Sequence, residues 1–89
     1  MQGEWKIVYT SDAIKDKKKA YESGYKEKIQ NLLNILKEDP FGSYPPFEKL
    51  AGDLAGAYSR RINQQHRLIY CVYKQEHMIK IISMWTHYE

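Results

Sequence analysis

The most regular hydrophobic pattern in the chain lies in its first half. Tyr25, Ile29, Leu32, Leu33 and Leu36 fall at i, i+4, i+7, i+8 and i+11, which is one face of an α-helix. Pro40 ends that helix, because proline disfavours helical geometry in the residue before it. Upstream, residues 11–23 carry a thinner apolar set, Ala13, Ile14, Ala20 and Tyr21. They predict a first helix capped by the side chain of Ser11 or Asp12 and stopped at Gly24. The two helices then form an antiparallel hairpin. Before them, residues 5–10 (WKIVYT) are aromatic and β-branched and predict a strand.

The second half changes period. Residues 40–56 hold three prolines and three glycines and predict a long loop containing Glu48. Residues 57–62, 67–73 and 78–85 are strand-like runs joined by Asn63-Gln-Gln65 and Lys74-Gln-Glu-His77, short enough for an antiparallel meander. The order of strand, helical hairpin and three strands gives one α+β domain over residues 1–89, with the helix pair on one face of the sheet.

Composition adds three points. Hydrophobic residues make up 43% of the 89 residues, enough for a single core. The formal charge of +3 is mild, but its distribution is not uniform. Lys15, Lys17, Lys18 and Lys19 surround Asp16, and Arg60, Arg61 and Arg67 form a second group. The lysine run is equally well read as a solvated helix face or as a surface for phosphates. The single cysteine, Cys71, excludes an internal disulfide and is expected as a small core residue. With no apolar run near a membrane span and no signal peptide in view, a reducing cytoplasm is the expected setting.

The chemistry-bearing residues lie in the strand half. If Asn63, Gln64 and Gln65 form the first hairpin loop, Ile62 faces His66 and Arg61 faces Arg67. Like charges opposed on a sheet destabilise it. Two explanations stand side by side: an anion comes to sit between the arginines, or the register differs or an acid such as Glu48 neutralises the pair. His87 follows the last strand and could move a proton near neutral pH, since imidazole titrates near 6.5. An isolated histidine in such a place is more often an inert tail residue, and His66 and His77 are expected to be structural. No spacing suggests a metal site, and no glycine loop suggests a nucleotide phosphate cradle. Cleaving RNA at its own 2′-hydroxyl needs a base, an acid and a cation for the phosphate, and no metal in principle. Glu48, His87 and Arg67 or Arg61 could supply them, although composition alone does not select them.

A resemblance does. Glu48-Lys-Leu50, Asp53-Leu-Ala-Gly56, Tyr58-Ser-Arg-Arg-Ile62, His66-Arg-Leu-Ile-Tyr70 and the closing His87-Tyr88 resemble the YoeB branch of the RelE toxin superfamily. The N-terminal half matches more loosely, through the opening strand, the helix pair and Asp39-Pro-Phe41. The resemblance implies a compact RelE-like, microbial-ribonuclease-like fold and metal-independent cleavage of mRNA in the ribosomal A site. It implies Glu48 as general base, Arg67 as the cation stabilising the phosphate, His87 as general acid and Tyr88 as an orienting residue. Arg61 would be a second phosphate contact. Lys15, Lys17, Lys18, Lys19, Lys26 and Lys28 would meet ribosomal RNA.

The implied partners are a YefM-type antitoxin, the 70S ribosome and mRNA, with room for a homodimer, no cofactor and no membrane. The chain departs from the family pattern at Ala51, where a lysine is common, and at Gln65, where an acid is common. It also carries about four residues before the usual start near Trp5. Two other readings remain open at this point: a non-catalytic module that blocks translation by occupying the ribosome, and an inactive domain that only binds an antitoxin.

Overall fold

The computed structural model describes residues 4–42 and 46–87, the last two of these by their backbone alone. Strand β1 spans Lys6–Tyr9 and is followed by helices α1 (Ser11–Glu22) and α2 (Lys26–Glu38). Then come β2 (Phe47–Lys49), a 3-10 turn at Gly52–Leu54, β3 (Ala57–Arg61), β4 (His66–Tyr73) and β5 (Met78–His87). This is the expected α+β order with one addition. The stretch from Pro40 to Gly56 is not loop throughout, because Phe47–Lys49 pairs antiparallel with β3 as an edge strand. The sheet order is β1-β5-β4-β3-β2. The last three strands form the expected meander, while β1 lies parallel to β5, with Lys6 opposite Met78 and Tyr9 opposite Ile81.

The helices pack on one face of this sheet. Ala13 and Ala20 of α1 and Ile29, Leu32, Leu33 and Leu36 of α2 join Ile62, Leu68, Tyr70, Ile79, Ile81 and Met84 in a single core. The i, i+4, i+7, i+8 stripe is therefore the buried face of α2. Alanine at both buried positions of α1 lets that helix approach β5 closely. Ile14 does not join the core and is 58% exposed. Cys71 is half-buried and does not belong to the core either. No helix among the described residues is long and apolar enough to cross a membrane.

The first helix cap is Thr10, one residue earlier than expected. Its hydroxyl oxygen accepts from the Ala13 amide at 3.0 Å and donates to the Ile82 carbonyl at 2.6 Å. That second bond addresses an irregularity in β5. Thr86 faces Arg67, Ser83 faces Ile69 and Ile81 faces Tyr70, so β5 carries two residues more than β4 across this stretch. Bulges of this kind leave backbone groups without ladder partners. Helix α1 satisfies two of them: Thr10 takes the Ile82 carbonyl, and the Asp16 carboxylate accepts from the Met84 amide at 3.2 Å. The acid in the middle of the lysine run thus ties α1 to the bulged strand.

Trp85, inside the irregular stretch, has a φ of 67°, a conformation a bulky residue rarely adopts. Its ring has two aromatic neighbours. His66 stacks on it with centroids 3.8 Å apart and planes 6° from parallel, and Tyr25 lies 5.0 Å away. His66 is itself fixed by Asn63, whose side-chain oxygen accepts from the Gln65 and His66 amides at 2.8 and 2.7 Å and lies 3.2 Å from His66 Nδ1. An oxygen already accepting two amides leaves the Nδ1 position as donor. Both histidines expected to be structural are so placed, since His77 stacks on Trp5 at 4.0 Å.

Candidate active site

Alternation along β3 and direct pairing with its neighbours place Glu48, Ser59, Arg61 and Arg67 on one face of the sheet. Glu48 pairs with Ser59, Arg61 lies two residues on, and Arg61 pairs with Arg67. The opposed arginines are real. So is the neutralising acid, because Arg67 Nη1 donates to Glu48 Oε1. Arg67 Nη1 also lies 3.3 Å from the Ser59 hydroxyl. Of the two explanations offered for the arginine pair, the second holds in one of its limbs: the register does not differ, and Glu48 neutralises Arg67. Arg67 is well shielded, with 15% of its side chain accessible, while Glu48 is 62% accessible. The pair thus sets a shielded cation beside a carboxylate open to solvent.

These groups line an open cleft of about 600 Å³, which also takes in Lys28 from α2 and Gln64 from the β3–β4 turn. Three cations, Lys28, Arg61 and Arg67, stand against one acid, Glu48, among the cleft's described residues. A concave surface with that balance favours a polyanion. Lys28, expected only as one of several docking lysines, is a wall of this cleft.

The other expected RNA contacts lie apart from it. Lys15, Lys18 and Lys19 are exposed on α1, and Lys26 is exposed at the start of α2. Lys17 is half-buried, its ammonium 4.9 Å from the Tyr9 ring centre and 5.6 Å from that of Tyr21. Lys26 lies 6.0 Å over Tyr21. The lysine run is thus partly a solvated face and partly packed on tyrosines.

At the end of β5, Thr86 stands opposite Arg67 and His87 opposite His66. The backbone of the last strand therefore reaches the strand ends that carry the cleft. Tyr88 lies outside the described residues. Among those described, no group of three His, Cys, Asp or Glu side chains comes together as a cation cage would require.

One charged residue has a role its neighbour hides. Arg60 is fully buried, on the helix side of β3. Its Nε donates to the Tyr70 hydroxyl at 3.1 Å, and one terminal nitrogen donates to the carbonyls of Pro40 and Gly42, both at 3.1 Å. The Tyr70 hydroxyl in turn donates to the Pro40 carbonyl at 3.0 Å. Burial pushes the Tyr70 phenol above its ordinary range, against the opposing pull of the Arg60 hydrogen bond and charge. Sequence period alone could have found this arginine. If Ile62 points into the core, so does the residue two before it.

Comparison with known proteins agrees with this architecture. A family model described as YoeB-like toxin of bacterial type II toxin-antitoxin system matches residues 9–88. The chain belongs to the YoeB-like toxin family. It is 36% identical over 63 residues to toxin YoeB of Synechocystis, covering 71% of each chain. It is 39% identical over 67 residues to toxin YoeB of Streptomyces coelicolor, covering 73% of this chain and 80% of that one. Among solved structures, a YoeB/ParE toxin from Agrobacterium tumefaciens superposes with a TM-score of 0.83 at 33% identity, over 93% of this chain and 99% of that one. A YoeB-YefM complex from Staphylococcus aureus is similar with a TM-score of 0.79 at 34% identity, over 94% and 98%. The YoeB-like family and its α+β fold thus stand on sequence and on structure.

Proposed function

We propose that this chain is an endoribonuclease that cuts mRNA in the ribosomal A site, without a metal, and is neutralised by a YefM-type antitoxin. The observation that carries the reading is the Glu48–Arg67 pair beside Arg61 and Lys28 in one open cleft. In the reaction, the substrate's 2′-hydroxyl gives its proton to Glu48 and its oxygen attacks the adjacent phosphorus. The bond from phosphorus to the 5′-oxygen breaks, that oxygen takes a proton from His87, and a 2′,3′-cyclic phosphate remains. Charge grows on the non-bridging oxygens meanwhile, where a guanidinium is most valuable.

The resting ion pair gives this scheme an order. An entering phosphate competes for Arg67 and draws it from Glu48, so the carboxylate becomes available as the cation engages the substrate. Tyr88 is assigned to orient His87 or the substrate, and Arg61 to contact the phosphate. The free cleft carries an excess of positive charge. An acidic antitoxin segment, of the kind that folds as it binds, would fill it and compete with RNA.

The test is single-turnover cleavage of mRNA on programmed 70S ribosomes, with the 5′ ends mapped. Glu48→Gln is expected to slow cleavage by about a hundredfold to ten-thousandfold and to leave ribosome binding intact. Wild-type cleavage by that variant overturns Glu48 as base. Arrested translation with uncut mRNA, from the unmodified chain, would instead identify a ribosome blocker.

A further inference from the structure

We propose that Arg60 is a positioning residue for Glu48, holding the edge strand β2 in place from the opposite face of the sheet. The argument begins with how little else holds that strand. β2 has three residues and a neighbour on one side only, and the chain enters it from a proline-containing segment. Such short edge pairings are weak by themselves. Yet Glu48 must stand on Arg67 for the cleft to have its observed form.

Arg60 supplies the missing constraint from behind. It pairs directly with Phe47, the residue before Glu48, and its guanidinium lies 5.3 Å from the centre of the Phe47 ring. The same guanidinium holds the Pro40 and Gly42 carbonyls, where the chain leaves α2 and heads for β2. Phe47 in turn packs with Phe41 and Tyr58, each of the three rings edge-on to the others at 5.4 to 6.1 Å. One planar, always-charged group thus fixes the segment before β2 and the first residue of β2 together. A lysine would keep the charge but not this fan of directed donors. Arg60 does not line the cleft, so it acts on the reaction only through Glu48. The catalytic half of this inference rests on the reading of Glu48 as base.

Arg60→Lys is the test, with Tyr70→Phe as a milder second variant that keeps the guanidinium and removes one of its acceptors. Two measurements are made on each, after thermal melting has shown a folded protein. The first is amide exchange by NMR at Leu50, whose N–H donates to the Ala57 carbonyl at 3.0 Å just beyond β2, against amides of β4 and β5. Exchange at Leu50 is expected to accelerate by a clearly larger factor than at the amides of β4 and β5. The second is single-turnover cleavage at saturating ribosomes, alone and combined with Glu48→Gln. Arg60→Lys is expected to lower the maximal rate by about tenfold to a hundredfold, the scale of an ångström-level misplacement, with half-saturation unchanged and no further loss in the Glu48→Gln background.

Unchanged exchange at Leu50 in both variants overturns the proposal, as does equal acceleration through β4 and β5. An equal rate loss with and without Glu48→Gln also overturns it, because that is what general destabilisation produces. If Glu48→Gln alone cleaves normally, the proposed function fails in its choice of base, and the exchange measurement still decides whether Arg60 holds β2.

Discussion

Arg61 and Arg67 stand directly opposite each other across β3 and β4, and Glu48 is bound to Arg67. The two arginines are therefore not equivalent. Arg67→Ala breaks an ion pair and strips a shielded cation from the cleft, so it is expected to lower the chemical rate more than ribosome affinity. Arg61 is exposed, and Arg61→Ala relieves like-charge repulsion. It is expected to raise stability by a few tenths of a kcal/mol, about the value of a single cross-strand pair, while lowering the cleavage rate more weakly. Urea denaturation and single-turnover kinetics on both variants check this. A less stable Arg61→Ala protein contradicts it.

His87→Ala is expected to remove leaving-group protonation and slow cleavage by about a hundredfold to ten-thousandfold, with the melting temperature nearly unchanged. The buried core residues among the described side chains of β5 end at Met84, with Trp85 packed against them. A substrate with a better leaving group than a 5′-alkoxide should recover most of the lost rate. Full activity of His87→Ala on the natural bond would remove His87 from the mechanism.

The lysines divide by what they touch. Neutralising Lys15, Lys18 and Lys19 together is expected to weaken ribosome binding and flatten its dependence on salt, with the rate at saturation kept. Lys17→Gln should in addition destabilise the fold by about 0.5–1 kcal/mol, since its ammonium lies over Tyr9 and Tyr21. An unchanged salt slope in the triple variant would make the run a solvated face only.

Tyr70 gives a pH signature. Its phenol ionises above the ordinary range near 10 in the folded chain. Between the ordinary and the raised value the folded state keeps a proton that the unfolded state has lost. Tyr70 therefore contributes its full stabilisation below about pH 10 and loses it as the pH climbs through that window. Tyr70→Phe is expected to cost about 1–3 kcal/mol at pH 7, by removing the hydroxyl that accepts from the buried Arg60 Nε. Its deficit should shrink at alkaline pH, where the parent chain weakens. Denaturation curves from pH 7 to 11 measure the deficit, and a constant value would contradict the assignment.

How far the sequence leads depends on the range of each interaction. The α2 stripe and the Arg61–Arg67 register were readable because a helical period and a short hairpin loop are local geometry. The pairing of β1 with β5 was not, because it joins residues about seventy positions apart and leaves no mark on either period. β2 escaped notice for another reason. Phe-Glu-Lys is too short to show alternation, carries no β-branched residue and follows prolines, so it has the composition of a loop. Arg60 and Arg61 look identical in the string, and only strand parity separates the buried one from the exposed one. Asp16 was hidden by its lysine neighbours, since its partner is an amide freed by an irregularity in β5.

The placement of β1 and α1 against β5 also bears on how the chain comes to be folded. The first strand finds its ladder partner only in the last one, and α1 lodges its capping hydroxyl and its Asp16 carboxylate on the same strand. Contacts between such distant segments must close a large loop before they contribute any stability, which slows folding and makes it all-or-none. During synthesis the helical hairpin emerges well ahead of the strand it needs, with Ala13, Ala20 and the leucines of α2 still uncovered. A nascent chain at that stage has neither a finished sheet nor the β4–β5 pairing that sets Thr86 opposite Arg67. The cleavage proposed for this chain would thus be withheld until β5 is made, a delay written into the strand order itself.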